Sequence, residues 1–189
     1  IINYINFRMY KMNIFDVHIK NGEVIDGTGA PKFKSDIVID KGKIIGVFPP
    51  ENGDVRDPSE NHFLSNFKAK HTINAENKII SPGFIDVHTH DDDNVFLDPS
   101  MSSKISQGVT TCVAGNCGIS LAPFSYKGEV PAPIALLGKS EVFRFPRVSD
   151  YKEEFNNKPS SVNLALLTGH SMLRVEAVSY THLRAHETP

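Results

Sequence analysis

Residues 81–90 have the sequence SPGFIDVHTH, and the character of the chain changes there. A Pro-Gly pair at 82 and 83 is followed by a compact apolar segment at 84–88. Such a segment is typical of a strand that is buried on both faces in a parallel sheet. We therefore expect one domain to end at residue 80 and a second domain, built on a parallel sheet, to begin at residue 81.

Two more apolar segments follow, at 109–114 and 162–167, and helix candidates separate the three predicted strands. The first helix candidate spans 99–107. The second begins at Ser149, whose side chain is suited to a helix N-cap. Strand and helix alternate as in a parallel α/β fold, so residues 81–178 are predicted to form the first three β/α units of a barrel.

Residues 13–80 alternate short strands with turns that contain glycine, which predicts a small antiparallel β-sandwich domain. Asn21 and Gly22 form a dipeptide typical of a two-residue hairpin, so we expect a separate strand on each side of them. A second turn is expected at 40–43. The polar segment at 49–70 is expected to be a long surface loop.

The composition excludes several classes of protein. The 189 residues carry a formal net charge of -2 and 40% of them are hydrophobic, which argues against a disordered chain and gives no electrostatic support for binding nucleic acid. No apolar run approaches the ~20 residues that cross a bilayer, so no membrane partner is expected. The 2 cysteines are too few for a disulfide framework, which favours a reducing, cytoplasmic location.

Neither end of the chain is used to predict the fold. Residues 1–12 are expected to be a non-native or disordered leader, because Met12 begins a stretch that fits a native start. Residues 179–189 show neither helical nor strand periodicity and are expected to be a foreign tail.

Two histidines lie at the end of the first predicted parallel strand. Side chains alternate across a strand, so His88 and His90 are expected to share a face, about 6–7 Å apart along it. Two imidazoles at that spacing can ligate one metal ion, although the pattern also fits two ordinary loop histidines. Cys117 follows the second strand in a Gly-Asn-Cys-Gly turn. It is either a thiolate ligand of a metal ion or a structural cysteine. His88, His90 and Cys117 are the candidate metal ligands, whereas Cys112 is expected in the core.

Acidic residues surround the two histidines. By strand alternation Asp86 shares their face, so it is a candidate for orienting a ligand or for contacting a substrate. Asp91 is a second candidate for these roles, whereas Asp92 and Asp93 are more typical of a solvated loop or of the start of a helix. His170 closes the third predicted strand, where it either contacts a substrate or hydrogen-bonds a backbone carbonyl.

These motifs resemble the D-aminoacylase (N-acyl-D-amino-acid deacylase) family of the amidohydrolase superfamily. The residues that carry the resemblance are SPGFIDVHTHDD at 81–92, SQGVTT at 106–111, GNCGIS at 115–120 and GHS at 169–171. The resemblance implies a small β-sandwich domain and a (β/α)8 TIM barrel, with zinc at the mouth of the barrel. It also implies that His88 and His90 lie at the weaker metal position. Cys117 would then hold the tightly bound zinc, where relatives use a carboxylated lysine.

The resemblance also implies an activity for the whole enzyme. It would hydrolyse an N-acyl-D-amino acid, a small-molecule substrate, to a D-amino acid and a carboxylate. The family has two further metal-binding histidines and a catalytic aspartate on later strands, so no catalytic residue is assigned and this N-terminal fragment is expected to be inactive. One alternative is a cyclic amide hydrolase of the hydantoinase or dihydropyrimidinase type, but such enzymes normally have lysine in the position of Cys117. The other alternative is a non-catalytic, truncated remnant.

Overall fold

The computed structural model describes residues 14–48 and 68–178. The chain divides into two compact units, with the boundary between Pro82 and Gly83. The predicted leader at 1–12, the predicted tail at 179–189 and most of the predicted loop at 49–70 lie outside the described residues.

The first unit contains a five-stranded sheet in which β3, β2, β1 and β4 are neighbours in that order and β5 also pairs with β1. Its strands are β1 (Ile14–Val24), β2 (Phe33–Asp40), β3 (Lys43–Phe48), β4 (Lys68–Asn74) and β5 (Ile79–Ile80). The pairs β1–β2 and β2–β3 are antiparallel as predicted. The strands β4 and β5 run parallel to β1, so the predicted all-antiparallel pairing is wrong for these two strands.

The Asn21-Gly22 dipeptide does not form the predicted hairpin, because β1 continues through it as one strand. The register between β1 and β2 shifts between Ile19 and Gly22, and Asn21 has φ of 65°. The dipeptide therefore makes a β-bulge. The bulge leaves the backbone amide of Asn21 without a partner on the neighbouring strand. This amide instead donates a hydrogen bond of 2.8 Å to the carboxylate of Asp36.

The core of the first unit is small. Phe15, Val38 and Phe48 form a buried apolar cluster. A buried polar pair lies on the same sheet, with 2.9 Å between Nε2 of His18 and a carboxylate oxygen of Asp36. Because the second oxygen of Asp36 accepts the bulge amide described above, this carboxylate joins β2 to two points on β1.

The second unit contains a parallel three-stranded sheet, in which β7 lies between β6 and β10. The strands are β6 (Phe84–Thr89), β7 (Val109–Ala114) and β10 (Asn163–Leu166), and a short antiparallel pair is formed by β8 (Phe124–Ser125) and β9 (Arg144–Phe145). The α-helices are α1 (Asn94–Leu97), α2 (Ser102–Ile105), α3 (Val148–Asn157) and α4 (His170–Val178), and two 3-10 helices span Ile134–Leu137 and Ser140–Val142. The three parallel strands predicted from the sequence are confirmed. Their predicted burial is wrong for β6, in which only Thr89 is buried, and for β10, which alternates exposed and half-buried residues.

The helices between these strands differ from the prediction at their ends. The helix predicted over 99–107 is reduced to the four residues of α2, because Met101 has a left-handed backbone with φ of 46° and stands outside it. Ser149 is not the N-cap of α3, since the helix already begins at Val148. The backbone N–H of the true N-cap, Arg147, donates to the carboxylate of Asp150 over 3.2 Å.

Aromatic side chains fill much of the core of the second unit. Phe96, Phe145 and Tyr151 make ring contacts with centroid distances between 5.0 and 5.9 Å. Cys112 is fully buried in the same core, which confirms its predicted place. Along 14–48 and 68–178, the helices all fall short of the length and apolarity needed to cross a membrane.

Candidate metal centre

Three candidate ligands meet at one edge of the parallel sheet. Neighbouring parallel strands end at the same edge, and β6 carries His88 while Cys117 follows β7. The ligand atoms of His88, His90 and Cys117 all lie within 4.8 Å of one another, and the three side chains are exposed. Sγ of Cys117 is 3.9 Å from Nδ1 of His90, and the two imidazole rings are 5.5 Å apart at their centroids.

A bulge in β6 changes the faces of its side chains. Asp86 is in register with Cys112 and Thr89 is in register with Ala114, so three steps along β6 match two steps along β7. In-register residues of parallel neighbours share a face, so Asp86 and Thr89 both lie on the core-facing side of the sheet. The prediction that Asp86 shares the face of the two histidines is therefore wrong, because simple alternation does not hold across a bulge.

Lys104 of α2 binds the two acidic residues that were singled out from the sequence. Its Nζ is 2.6 Å from the carboxylate of Asp86 and 3.0 Å from that of Asp91. The hydrogen bond from Lys104 lowers the pKa of Asp86. Burial acts to lower the pKa of Lys104, but the hydrogen bonds to both carboxylates outweigh burial and the pKa is raised. Asp86 and Lys104 are therefore both charged at neutral pH.

The loop that carries Cys117 depends on a close backbone approach at Gly115. This residue has φ of 84°, a conformation that L side chains rarely adopt. A Cβ atom added there would lie 2.1 Å from the carbonyl oxygen of Leu167. Glycine thus lets the turn pass close against the end of β10, and the backbone N–H of Gly118 closes the turn on the carbonyl of Gly115 over 3.0 Å.

The same loop packs against the residues that follow β10. The hydroxyl of Ser120 accepts a hydrogen bond of 2.9 Å from the backbone N–H of Gly169. The backbone N–H of Ser171 donates to the carbonyl of Gly118 over 2.9 Å. His170, between these two anchors, is exposed as the first residue of α4 and does not belong to the group of three ligands. Its contact with a substrate stays a prediction.

Asp93 is the N-cap residue of α1, which agrees with the expected helix start, but Asp92 does not lie in a solvated loop. Asp92 is fully buried, and its carboxylate accepts a hydrogen bond of 3.3 Å from the backbone N–H of Leu121. Burial raises the pKa of Asp92 to about 6. The hydroxyl of Tyr151 donates to the backbone carbonyl of Asp92 over 2.6 Å. A run of three aspartates carries no signal for these contacts, since both partners are distant in sequence.

The carboxylate of Asp93 has a cationic partner in the β8–β9 pair. Nη1 of Arg144 is 3.2 Å from Asp93, and Nη2 of Arg144 is 3.0 Å from Glu154 on α3. The guanidinium also lies 4.4 Å from the ring centroid of Phe145. Arg144 therefore ties the segment that follows His90 to α3, a role that sequence reasoning missed.

The donor set itself indicates which metal fits. Two imidazole nitrogens and one thiolate are typical ligands of zinc, whereas magnesium and calcium prefer oxygen. The thiol of Cys112 is not part of the group, and burial raises its pKa, which disfavours the thiolate form. His88, His90 and Cys117 thus fit zinc or a similar soft divalent metal.

A parallel β/α sheet with two imidazoles and a thiolate at the carboxyl ends of its strands is an arrangement of the β/α-barrel class. Residues 71–181 match the amidohydrolase family. The chain belongs to that family.

Two curated proteins are similar to this chain over most of its length. The chain is 39% identical over 161 residues to a D-aminoacylase and 38% identical over 166 residues to an N-acyl-D-aspartate deacylase, both from Alcaligenes xylosoxydans xylosoxydans. These matches cover 85% and 88% of this chain. The chain spans only 30% of the length of each of these curated relatives.

Two solved structures are similar to this chain in both fold and sequence. A crystal structure of D-aminoacylase matches with a TM-score of 0.73 and 44% identity, over 85% of this chain and 31% of that one. An N-acyl-D-glutamate deacylase from Bordetella bronchiseptica, complexed with zinc and a phosphonate inhibitor, matches with a TM-score of 0.74 and 38% identity, over 88% and 32% of the two chains. These likenesses confirm the predicted resemblance and fold class, an α/β chain that forms part of a (β/α)8 amidohydrolase barrel and has a small β domain.

Proposed function

We propose that the whole protein is a zinc-dependent amidohydrolase that converts an N-acyl-D-amino acid to a D-amino acid and a carboxylate. The proposal rests on one structural observation. The ligand atoms of His88, His90 and Cys117 come within 4.8 Å of one another at the edge where two parallel strands end. Barrel enzymes keep their active sites at that edge.

The residues of this chain would hold the metal and fix its surroundings. His88 and His90 would each supply a ring nitrogen, and Cys117 would supply a thiolate. When bound, zinc supplies Lewis-acid activation of water and of the scissile carbonyl. The ion pairs of Lys104 and the backbone anchors at Gly118 hold the two ligand-bearing segments in place. No residue of this chain is assigned as the catalytic acid or base.

The proposed substrate class rests on the similar proteins. They are a D-aminoacylase and deacylases of N-acyl-D-aspartate and N-acyl-D-glutamate, which share a D-amino acid and an amide bond. The alternative of a cyclic amide hydrolase is less well supported, because the position that would then be lysine is Cys117. A cytoplasmic location, and the expectation of no nucleic-acid or membrane partner, stay predictions from the composition.

The proposal is tested on the product of the complete gene. We expect the metal-loaded protein to release amino acid from N-acetyl-D-amino acids and not from the L-enantiomers. A chelator should abolish this activity and added zinc should restore it. Hydrolysis of hydantoin or dihydrouracil without deacylation would contradict the proposal. The 189-residue chain alone serves as a control, and we expect it to bind metal without turning over the substrate.

A further inference from the structure

Carboxylates flank the proposed metal ligands on both sides, yet none of them joins the ligand group. Four aspartates lie within four residues of His88 or His90, namely Asp86, Asp91, Asp92 and Asp93. Carboxylate oxygen is an ordinary zinc ligand and the preferred ligand of harder divalent metals. Among the described residues, however, the ligand group contains only the two histidines and Cys117. The partners that hold these carboxylates elsewhere therefore affect the donor set.

Lys104 accounts for two of the four carboxylates. Its ammonium nitrogen is 2.6 Å from Asp86 and 3.0 Å from Asp91. The same nitrogen is 3.2 Å from the hydroxyl oxygen of Thr89, which itself donates a hydrogen bond to Asp91. One ammonium group thus contacts a residue before His88, the residue between the two histidines and the residue after His90.

We infer that Lys104 is a positioning residue that keeps Asp91 out of the metal coordination sphere, whereas the bulge in β6 already turns Asp86 to the core-facing side. In this way it limits the donors of this chain to two imidazoles and one thiolate, and it favours zinc over harder metals. This inference rests on the metal centre proposed above. Lys104 would act through the two carboxylates and through Thr89, without touching the metal or a substrate.

The partial burial of Lys104 and of its two carboxylate partners explains why its charge can hold Asp91 away from the metal. The side chains of Lys104, Asp86 and Asp91 are 20%, 28% and 18% exposed, so water screens their charges only in part. Without the ammonium group, two carboxylates would face each other with no positive charge between them. Asp91, which adjoins His90, would then be attracted to the metal. Asp92 and Asp93 stay engaged by Leu121 and Arg144.

The test compares the 189-residue chain with its Lys104→Met variant. Zinc and manganese affinities are measured by competition with a chromophoric chelator, and coordination is read from the absorption spectrum of the cobalt-loaded protein. We expect the ratio of manganese affinity to zinc affinity to rise about tenfold in Lys104→Met, because the freed Asp91 carboxylate is a harder donor than imidazole or thiolate. We also expect weaker cobalt d–d bands, because an added oxygen raises the coordination number.

Two further variants separate positioning from a general structural effect. Lys104→Arg keeps the charge and should keep most of the preference for zinc over manganese. The double variant Lys104→Met/Asp91→Asn removes the freed carboxylate and should restore strong d–d bands, which a merely damaged fold would not do. Lys158→Met, at an exposed position just after α3, is the matched control and should behave as the unaltered chain.

The outcomes distinguish this inference from the proposed metal centre. If the unaltered chain binds no zinc, the metal centre fails and the inference falls with it. If the unaltered chain binds zinc and Lys104→Met has the same affinities and cobalt spectrum, only the inference is overturned. Circular dichroism establishes that the variants are folded, and Lys104→Gln replaces Lys104→Met if the latter is not.

Discussion

The side-chain amide of Asn116 donates a hydrogen bond of 2.8 Å to the backbone carbonyl of Val87. Val87 immediately precedes His88, and Asn116 immediately precedes Cys117. The bond therefore joins the two segments that carry the candidate ligands, one residue away from a ligand on each side. It gives the asparagine of the Gly-Asn-Cys-Gly turn a physical role, which is to fix the distance between the thiolate and the imidazoles.

Replacing Asn116 should weaken metal binding more than stability. In Asn116→Ala we expect zinc affinity to fall about tenfold, because the two segments lose their direct link. The free energy of unfolding should change by only about 1 kcal/mol, since the side chain is exposed. Asn163→Ala is the matched control, because its amide makes a similar bond of 3.2 Å to the carbonyl of Thr110. Equal zinc affinities in the two variants would contradict this role for Asn116.

Gly115 should tolerate no side chain. Gly115→Ala places a Cβ against the backbone oxygen of Leu167 and strains a residue with φ of 84°. We expect a loss of about 3 kcal/mol or more in the free energy of unfolding, measured by urea denaturation. Gly118→Ala is matched in backbone angle, with φ of 87°, but its nearest neighbour is the Ser171 hydroxyl at 3.7 Å. It should lose only about 1–2 kcal/mol. Similar losses in both variants would show that the close approach is unimportant.

Burial of Asp92 should make the metal-free protein less stable as the pH rises from about 4 to about 6. Its pKa is raised from 3.8 to about 6, so the unfolded state releases the proton first. The contribution to stability is full below pH 4 and is lost by pH 6, a difference of about 3 kcal/mol. Asp92→Asn should remove this slope in urea unfolding followed across the range. Asp98→Asn, at an exposed position, should retain the slope. A slope that persists in Asp92→Asn would contradict the assignment.

Arg144 should not be replaceable by lysine. Its guanidinium contacts Asp93 and Glu154 at once and stacks on Phe145, a geometry that an ammonium group cannot reproduce. We expect Arg144→Lys to lower the free energy of unfolding by about 1–2 kcal/mol. Arg147→Lys changes an exposed arginine whose ion pair is long, at 3.9 Å. It should change stability by no more than about 0.5 kcal/mol, and a loss as large as that of Arg144→Lys would contradict our interpretation of Arg144.

The candidate ligands were accessible from the sequence because they follow from strand order. Once 84–88 and 109–114 are identified as neighbouring parallel strands, their carboxyl ends must lie at one edge. His88, His90 and Cys117 then follow as a group. The buried strand position of Cys112 follows from the same pattern, since its neighbours in sequence are apolar.

The surroundings of these ligands were not accessible from the sequence, because they depend on tertiary register. The bulge in β6 moves Asp86 to the core-facing side, and local alternation gives no sign of it. Asp92 is buried by contacts with residues 29 and 59 positions away. The Asn21-Gly22 dipeptide has the composition of a hairpin, but pairing with β2, β4 and β5 along its length keeps β1 continuous.

The most direct test of the metal centre is a cobalt titration of the 189-residue chain, with cobalt in place of zinc. Cobalt bound by a thiolate gives an intense charge-transfer band in the near ultraviolet. We expect this band in the unaltered chain and in Cys112→Ser, whose thiol is in the core. We expect it to be absent from Cys117→Ser. A band that survives in Cys117→Ser, or that is missing from the unaltered chain, would contradict the assignment of His88, His90 and Cys117 as a metal centre.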